Sequence, residues 1–290
     1  MGDLERVLID GEPVEGPAAT VPVLDRGLQY GDALFETIAC TDGQPRLLGR
    51  HLQRLAAGCR RLGIEVGDAA ALAHDAQTLA RGTSRSIVKL LVTRGAGRAR
   101  GYALTGGERA TRIALRHAWP AEDPASQEQG VRVRLATLRL GENPALAGLK
   151  HCNRLEQVQA RREWTDPTIA DSLLFSSSGA LVSGTMSNVF LVRGSKLLTP
   201  LIDRCGVLGV MRALVLEIAV AAGIAAEERR LEMTDLETAE ELFLTNSVTG
   251  IRPVRELEGR QRARGPMTQR LQAELAAQMS LEAERGAAGE

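Results

Sequence analysis

The stretch GLKHCNRLEQV, residues 148–158, is the most informative segment of this chain. It contains Lys150, followed by the polar residues Asn153 and Gln157. If a helix begins at the lysine, the three side chains lie on one face, because their spacing is i, i+3 and i+7. A lysine at such a strand-to-helix junction can point into a cleft, although the spacing taken by itself favours an ordinary solvated lysine.

Lysine is rare in this chain. The 290 residues contain 36 Lys and Arg against 36 Asp and Glu, so the formal net charge is zero. Lysine occurs only at Lys89, Lys150 and Lys196, and 36 less three leaves 33 arginines. An arginine cannot form a Schiff base or act as a base near neutral pH, whereas a desolvated lysine can do both. Any amine chemistry is therefore restricted to three positions, and Lys150 is the one with a polar cluster beside it.

The composition excludes two kinds of nucleic-acid-binding protein. Zero net charge excludes a strongly basic protein that neutralises phosphates, and an aromatic content of 3% is too low for a base-stacking platform. The apolar fraction of 44% is sufficient for a sizeable hydrophobic core. No apolar run reaches 18 residues, so no membrane span is predicted. We therefore expect a small-molecule substrate, with neither nucleic acid nor membrane as a partner.

The cysteines indicate a cytoplasmic protein. Cys40, Cys59, Cys152 and Cys205 form no CxxC pair and have no metal-ligand spacing, so neither a disulfide framework nor a metal site is supported. The first ten residues are mixed and charged, without the apolar segment of a signal peptide. Reduced thiols in the cytoplasm are the expectation.

The predicted elements indicate an α+β fold with two domains. The segment 119–130 contains two prolines and no periodicity, so we predict a linker at 121–130. It separates an N-terminal α+β domain, 1–120, from a C-terminal α/β domain, 131–290, that carries Lys150. Helices are predicted at 48–62, 69–81, 151–164, 208–222 and from Pro266, a capping box at Thr234 and Glu237, and a polar loop at 25–32.

A possible phosphate site precedes one of the predicted helices. Residues 206–212, GVLGVMR, lead into the helix at 208–222, and Gly209 would allow close approach of a ligand. Amides at a helix start bind phosphate well, because their N–H groups are unpaired and the helix dipole favours an anion. A plain loop before a helix explains the same residues, and no P-loop motif is present.

Several motifs together resemble the fold-type IV pyridoxal-phosphate enzymes, which include branched-chain aminotransferases, D-amino-acid aminotransferases and 4-amino-4-deoxychorismate lyases. The resemblance covers roughly residues 4–260. It rests on DRG at 25–27, YGD at 30–32, FET at 35–37, HLQRL at 51–55, SNVF at 187–190, LTP at 198–200, GVMR at 209–212 and TNS at 245–247. Two stretches are similar to the lyases in particular: TRGAG at 93–97 with RGY at 100–102, and RLGENP at 139–144 running on through residues 149–158.

The resemblance implies a role for each matching residue and a pyridoxal 5'-phosphate cofactor. Lys150 matches the Schiff-base lysine, and Arg54 matches the arginine that binds the cofactor phosphate. The amides of Val210 and Met211 and the hydroxyl of Ser247 match further phosphate ligands. Tyr30, Arg94 and Arg98 are candidates for contact with the substrate, although structural roles in their loops are an open alternative. The resemblance also implies a homodimer.

One position departs from the family pattern. Ser183 stands five residues before Asn188, where much of the family has a glutamate that pairs with the pyridine nitrogen of the cofactor. A carboxylate keeps that nitrogen protonated and makes the ring a deep electron sink, whereas a hydroxyl can only hydrogen-bond to it. The departure weakens the case for an aminotransferase more than the case for a lyase, because an aromatic product supplies driving force of its own.

Three functions follow from the resemblance. The first is the lyase reaction that yields 4-aminobenzoate and pyruvate for folate synthesis. The second is amino transfer on branched-chain or D-amino acids. The third is a non-catalytic homologue, which the departure at Ser183 alone supports.

Overall fold

The computed structural model describes residues 4–15, 18–97, 100–121 and 124–288, without the side chains of 4, 5, 124 and 283–288. The chain divides into two compact units. The first comprises Met1–Ala121 with Leu149–Asn153, and the second comprises Glu122–Gly148 with Arg154–Glu290. No helix within the described residues is long and apolar enough to cross a membrane.

The first unit contains one antiparallel sheet of six strands and three helices. The strands are β1 (Leu4–Ile9), β2 (Glu12–Val14), β3 (Ala33–Thr41), β4 (Gln44–Pro45), β5 (Arg85–Thr93) and β6 (Thr111–Ala118), in the order β2-β1-β6-β5-β3-β4. The helices are α1 (Arg26–Tyr30), α2 (Leu48–Leu62) and α3 (Ala69–Ala80).

Helices α2 and α3 form where the sequence predicts them. The apolar stripe of α2 is buried at Leu55 and Cys59, and Gly63 ends the helix in the left-handed conformation that glycine adopts without strain. Asp68 caps α3 by accepting a hydrogen bond of 2.8 Å from the amide of Ala70. Both helices therefore follow from local signals.

The second unit contains a sheet of nine strands. They are β7 (Val131–Leu140), β8 (Ile169–Ser176), β9 (Leu181–Gly184), β10 (Asn188–Arg193), β11 (Lys196–Pro200), β12 (Ala225–Arg229), β13 (Glu241–Asn246), β14 (Gly250–Leu257) and β15 (Arg260–Gln261). The order is β12-β11-β10-β13-β14-β7-β8-β9, and β15 pairs with β14. A 3-10 helix, Pro124–Gln127, precedes β7, and the α-helices are α4 (Leu155–Arg161), α5 (Val210–Ala221), α6 (Met233–Thr238) and α7 (Pro266–Ala288).

The core of this sheet is apolar and closely packed. The rings of Phe190 and Phe243, which are cross-strand neighbours on β10 and β13, stack with their centroids 5.0 Å apart. Both side chains are fully buried. Strands β8, β10 and β13 are buried along nearly their whole length, and each contains an apolar run of three or four residues, LLF, VFLV and LFL.

The segment around Lys150 is not helical, and the helix predicted at 151–164 begins four residues later than expected. The amide of Phe35 donates to the carbonyl oxygen of Lys150 at 3.0 Å, and the amide of Cys152 donates to the carbonyl oxygen of Ala33 at 2.9 Å. Residues 150–152 thus pair with the start of β3, and α4 begins only at Leu155. Lys150, Asn153 and Gln157 therefore do not share a helical face.

The same hydrogen bonds group Lys150 with the first unit. The sequence assigned this lysine to the C-terminal domain because it follows the linker. Pairing with β3, more than a hundred residues earlier in the chain, outweighs its place in the sequence. The domain limits at 1–120, 121–130 and 131–290 stay a prediction.

Two further local predictions differ from the structure. Residues 25–32 contain the short helix α1 rather than a loop, because Asp25 accepts hydrogen bonds from the amides of Gly27 and Leu28 and caps it. The capping box of α6 is formed by Glu232 and Asp235, not by Thr234 and Glu237. The motif is therefore present two residues earlier, with acidic side chains at both positions.

Candidate active site

Lys150 lies against an aromatic ring in the first unit. Its Nζ atom is 4.3 Å from the centroid of the Phe35 ring, within the range of a cation–π interaction. Lys89, on the neighbouring strand β5, has its Nζ atom 5.2 Å from the same centroid. Two of the three lysines in the chain thus contact one phenylalanine, which the sequence did not indicate for Lys89.

Arg54 belongs to a buried cluster of charged and polar side chains. Its Nε atom donates to Oε1 of Glu36 at 2.8 Å, and its Nη2 atom donates to Oε2. Nδ1 of His51 lies 2.6 Å from Oε2 of the same glutamate. Burial alone would raise the pKa of Glu36, but the hydrogen bonds from His51 and Arg54 and the arginine charge hold it below the ordinary value.

Arg94 is held by a dense set of contacts. Its Nε and Nη2 atoms donate to the Asp32 carboxylate at 2.6 and 3.0 Å, and its guanidinium also donates to the carbonyl oxygens of Leu62 and Gly63. Although burial raises the pKa of Asp32, Arg94 and Arg26 hold it below its ordinary value. These contacts support the structural alternative for Arg94.

Tyr30 and Arg98 are the other two candidates for contact with the substrate. Tyr30, the last residue of α1, is half-buried, and its ring meets that of Tyr102 edge-on with centroids 5.4 Å apart. The Arg26 guanidinium lies 5.0 Å from the Tyr30 ring centroid. Arg98 lies outside the described residues.

Ser183 lies on β9 in the second unit and is buried. Its hydroxyl donates to the carbonyl oxygen of Gly184 at 2.8 Å. The nearby Asp171 carboxylate accepts hydrogen bonds from the amides of Ser172 and Thr185 and from the hydroxyls of Thr185 and Ser187. The hydrogen bonds to Asp171 thus come from its own strand, β8, and from the loop that follows β9.

The start of α5 has the features of an anion site. Gly209 occupies the N-cap position, and no side chain caps the amides of the first turn, which begins with Val210 and Met211. A Cβ atom at Gly209 would clash with Oδ1 of Asn188, so any larger residue there requires the asparagine side chain to move. Ser247 is half-buried in the turn between β13 and β14.

The chain was compared with known protein families, and residues 33–257 match the model of amino-transferase class IV. The chain belongs to the amino-transferase class IV family. Aminodeoxychorismate lyase of Vibrio harveyi is 34% identical to it over 89% of this chain and 97% of the relative. A putative branched-chain-amino-acid aminotransferase of Methanocaldococcus jannaschii is 30% identical over 88% of each chain. The crystal structure of 4-amino-4-deoxychorismate lyase from Pseudomonas aeruginosa superimposes with a TM-score of 0.87 at 45% identity, covering 93% and 97% of the two chains.

These matches confirm the resemblance to the fold-type IV pyridoxal-phosphate enzymes and the fold that it implies. As a member of the class IV family the protein is an enzyme, and pyridoxal phosphate is its cofactor, as expected. The non-catalytic homologue is thereby set aside. The residues present fit that cofactor, because α5 offers uncapped amides beside a glycine and Lys150 offers an amine.

The structure brings Glu36 and His51 together with the candidate residue Arg54. It also brings Phe35 into contact with Lys150. A signal for two of them was present. His51 and Arg54 are three residues apart on a predicted helix, so they share a face. Glu36 is a lone carboxylate in an otherwise apolar strand, which requires a partner when it is buried.

Proposed function

We propose that this enzyme is a pyridoxal-phosphate-dependent lyase that converts 4-amino-4-deoxychorismate to 4-aminobenzoate and pyruvate for folate synthesis. The observation that carries the proposal is the similarity to the Pseudomonas aeruginosa lyase, at 45% identity over nearly the whole of both chains. The lyase of Vibrio harveyi adds a second relative of the same name. The segment 148–158, which resembles the lyases in particular, contains the reactive lysine.

Lys150 performs two tasks in this proposal. Its amine binds the cofactor covalently in the resting enzyme. When it is not bound to the cofactor, the same amine would act as the general base at the substrate carbon that bears the nitrogen. When bound, the cofactor would supply an electron sink for that carbon. Loss of the proton allows the C–O bond between the ring and the enolpyruvyl group to break, so that the ring becomes aromatic, and the enolate that leaves takes up a proton to give pyruvate. Pairing with β3 fixes the lysine backbone, so that its side chain can return to the same place after each turnover.

The remaining residues bind and orient the cofactor. We assign the phosphate to the Arg54 guanidinium, the amides of Val210 and Met211 and the hydroxyl of Ser247. Uncapped amides at the start of α5 support the assignment for Val210 and Met211. Ser183 takes the place beside the pyridine nitrogen.

The substrate has two carboxylates, so cationic side chains are the natural anchors. Arg98 is one candidate, and Tyr30 is a second candidate at the mouth of the site. Arg94 is the weakest of the three, because its guanidinium already binds Asp32 and two carbonyl oxygens.

The alternative is amino transfer on branched-chain or D-amino acids. The Methanocaldococcus jannaschii relative carries a branched-chain aminotransferase name, which supports it. Ser183 counts against it, because a hydroxyl stabilises a carbanion less well than a protonated ring nitrogen paired with a carboxylate.

One assay separates the two reactions. The enzyme is incubated with 4-amino-4-deoxychorismate, with and without a keto acid. Release of 4-aminobenzoate and equimolar pyruvate without a keto acid supports the lyase. Amino transfer that requires the keto acid, with no 4-aminobenzoate formed, overturns the proposal in favour of the alternative.

A homodimer in the cytoplasm completes the proposal. The first unit exposes Val23, Leu24, Leu28, Tyr102 and Leu104, each more than half exposed. Their segments are joined, because the amide of Gly97 donates to Leu24 and the Arg26 guanidinium donates to Tyr102. Apolar side chains concentrated in this way are typical of an interaction surface. Cys40, Cys59 and Cys205 are free thiols, which supports a reducing compartment.

A further inference from the structure

Glu36, His51 and Arg54 form a cluster in which the proposed reaction assigns no step to Glu36 or His51. His51 and Arg54 are on the first turns of α2, three residues apart, and both face Glu36 on β3. Glu36 and His51 are essentially inaccessible to solvent, whereas 17% of the Arg54 side chain is exposed. The exposed end of the cluster is therefore the arginine, and the buried end is the histidine.

The protonation pattern of the cluster follows from its contacts. Two hydrogen bonds and the arginine charge lower the pKa of Glu36 despite its burial, so the carboxylate is ionised at neutral pH. Nε2 of His51 is buried and has no hydrogen-bond partner among the described residues. An ionised carboxylate can only accept hydrogen bonds, so Nδ1 of His51 carries a proton and donates a hydrogen bond to Glu36.

Glu36 therefore connects the other two residues of the cluster. One carboxylate oxygen accepts from His51, and both oxygens accept from Arg54 through Nε and Nη2. Such a two-point pairing fixes the guanidinium plane as well as its position. An arginine fixed in this way loses little side-chain entropy when it binds an anion.

We infer that Glu36 and His51 are positioning residues that hold Arg54 in the orientation in which it binds the cofactor phosphate. The inference rests on the phosphate role of Arg54 in the proposed function. Glu36 acts on the arginine directly, and His51 acts through Glu36. Neither residue touches the cofactor itself. The opposite expectation is also physical, because a carboxylate behind the arginine repels a phosphate and its removal could tighten binding.

Binding of two probes to the full-length protein, freed of its cofactor, tests the inference. Pyridoxal 5'-phosphate and pyridoxal both react with Lys150, but only the first has a phosphate. The absorbance of the lysine-bound probe gives a dissociation constant for each. We expect Glu36→Gln and His51→Leu to weaken pyridoxal 5'-phosphate binding about tenfold, the loss of one preorganised side chain, and to leave pyridoxal binding unchanged.

A conservative variant separates positioning from simple packing. The side-chain nitrogen of asparagine can take the place of histidine Nδ1, so we expect His51→Asn to retain near-normal affinity where His51→Leu does not. An equal loss for both probes means that the variants damage the site generally, and this result overturns the inference. Unchanged or tighter phosphate-dependent binding in Glu36→Gln also overturns it.

Arg54→Ala distinguishes failure of the inference from failure of the proposed function. If Arg54→Ala weakens pyridoxal 5'-phosphate binding while Glu36→Gln does not, the arginine binds phosphate without positioning, and the inference alone fails. If Arg54→Ala has no effect on either probe, the assigned phosphate role is wrong and the inference fails with it. Circular dichroism of each variant confirms that it is folded.

Discussion

Lys150 and Phe35 contact each other through both backbone and side chain. The amide of Phe35 donates to the carbonyl oxygen of Lys150 at 3.0 Å, and the lysine Nζ atom lies 4.3 Å from the centroid of the Phe35 ring. The flexible side chain of Lys150 thus extends from a backbone whose position is fixed by hydrogen bonds to β3. The backbone position of Lys150 thus depends on a residue more than a hundred positions away in the sequence.

Lys150→Arg should abolish covalent binding of the cofactor, because a guanidinium does not form a Schiff base. The absorbance band of the bound cofactor should be absent, and turnover should fall by at least about 10²–10⁴, the usual contribution of a positioned base. Lys196→Arg is the matched control, since Lys196 is an exposed residue at the start of β11. Retention of the band in Lys150→Arg would assign the amine to another lysine.

Lys89→Arg tests whether a neighbouring lysine affects Lys150, so it is not a neutral control. Lys89 contacts the same ring as Lys150, so its replacement can alter the surroundings of the reactive amine. We expect the band to persist, because Lys150 supplies the amine. A shift in the wavelength or pH dependence of the band, relative to Lys196→Arg, would show that Lys89 influences it.

The contribution of Glu36 to stability should depend on pH. Its pKa is lowered in the folded protein, so its stabilising effect is fully present above the ordinary value of 4.5 and is lost as the pH falls through the folded value. At neutral pH, Glu36→Gln should lower the free energy of unfolding by roughly 1–3 kcal/mol. Below pH 4.5 the difference between the two proteins should shrink. Urea unfolding at several pH values measures it, and a pH-independent difference would contradict the prediction.

Asp171→Asn should destabilise the second unit strongly. The Asp171 carboxylate is fully buried and accepts from two amides and two hydroxyls, and an amide nitrogen in place of one oxygen would face these donors. We expect a loss of roughly 2–4 kcal/mol in the free energy of unfolding. The control is Asp166→Asn at a carboxylate that is nearly half exposed, where a much smaller loss is expected because solvent screens its contacts. Equal effects would refute the distinction.

Gly209→Ala should weaken cofactor binding through Asn188. The new Cβ atom would clash with Oδ1 of Asn188, whose Nδ2 atom donates to the carbonyl oxygen of Val207 at 2.9 Å. Displacement of this asparagine disturbs the loop that leads into α5. We expect about a tenfold loss in affinity for pyridoxal 5'-phosphate, because the anion site uses backbone amides.

Gly49→Ala is the matched substitution for Gly209→Ala. Gly49 is in the first turn of α2, and a Cβ atom there would meet nothing within 4 Å. The variant should be as stable as the wild type or more stable by up to about 1 kcal/mol, since alanine favours a helix. Similar affinities for the cofactor in both glycine variants would show that the contact at Asn188 does not matter.

Local signals in the sequence determined much of the fold. The helices at 48–62 and 69–81 and the start of α7 at Pro266 were all predicted, because each depends on neighbouring residues. Composition and motif also selected Lys150 from three lysines and indicated the family and its cofactor. These conclusions need no knowledge of which distant segments meet.

Only the tertiary structure decided what surrounds the reactive lysine. The sequence predicted a helix from residue 151, but residues 150–152 form hydrogen bonds with Ala33 and Phe35 instead, and no local pattern encodes a partner in a distant strand. The same holds for Glu36, which is an isolated acidic residue until folding brings α2 against β3 and pairs it with Arg54. Local propensity sets which elements form, whereas long-range hydrogen bonds and burial set which side chains meet.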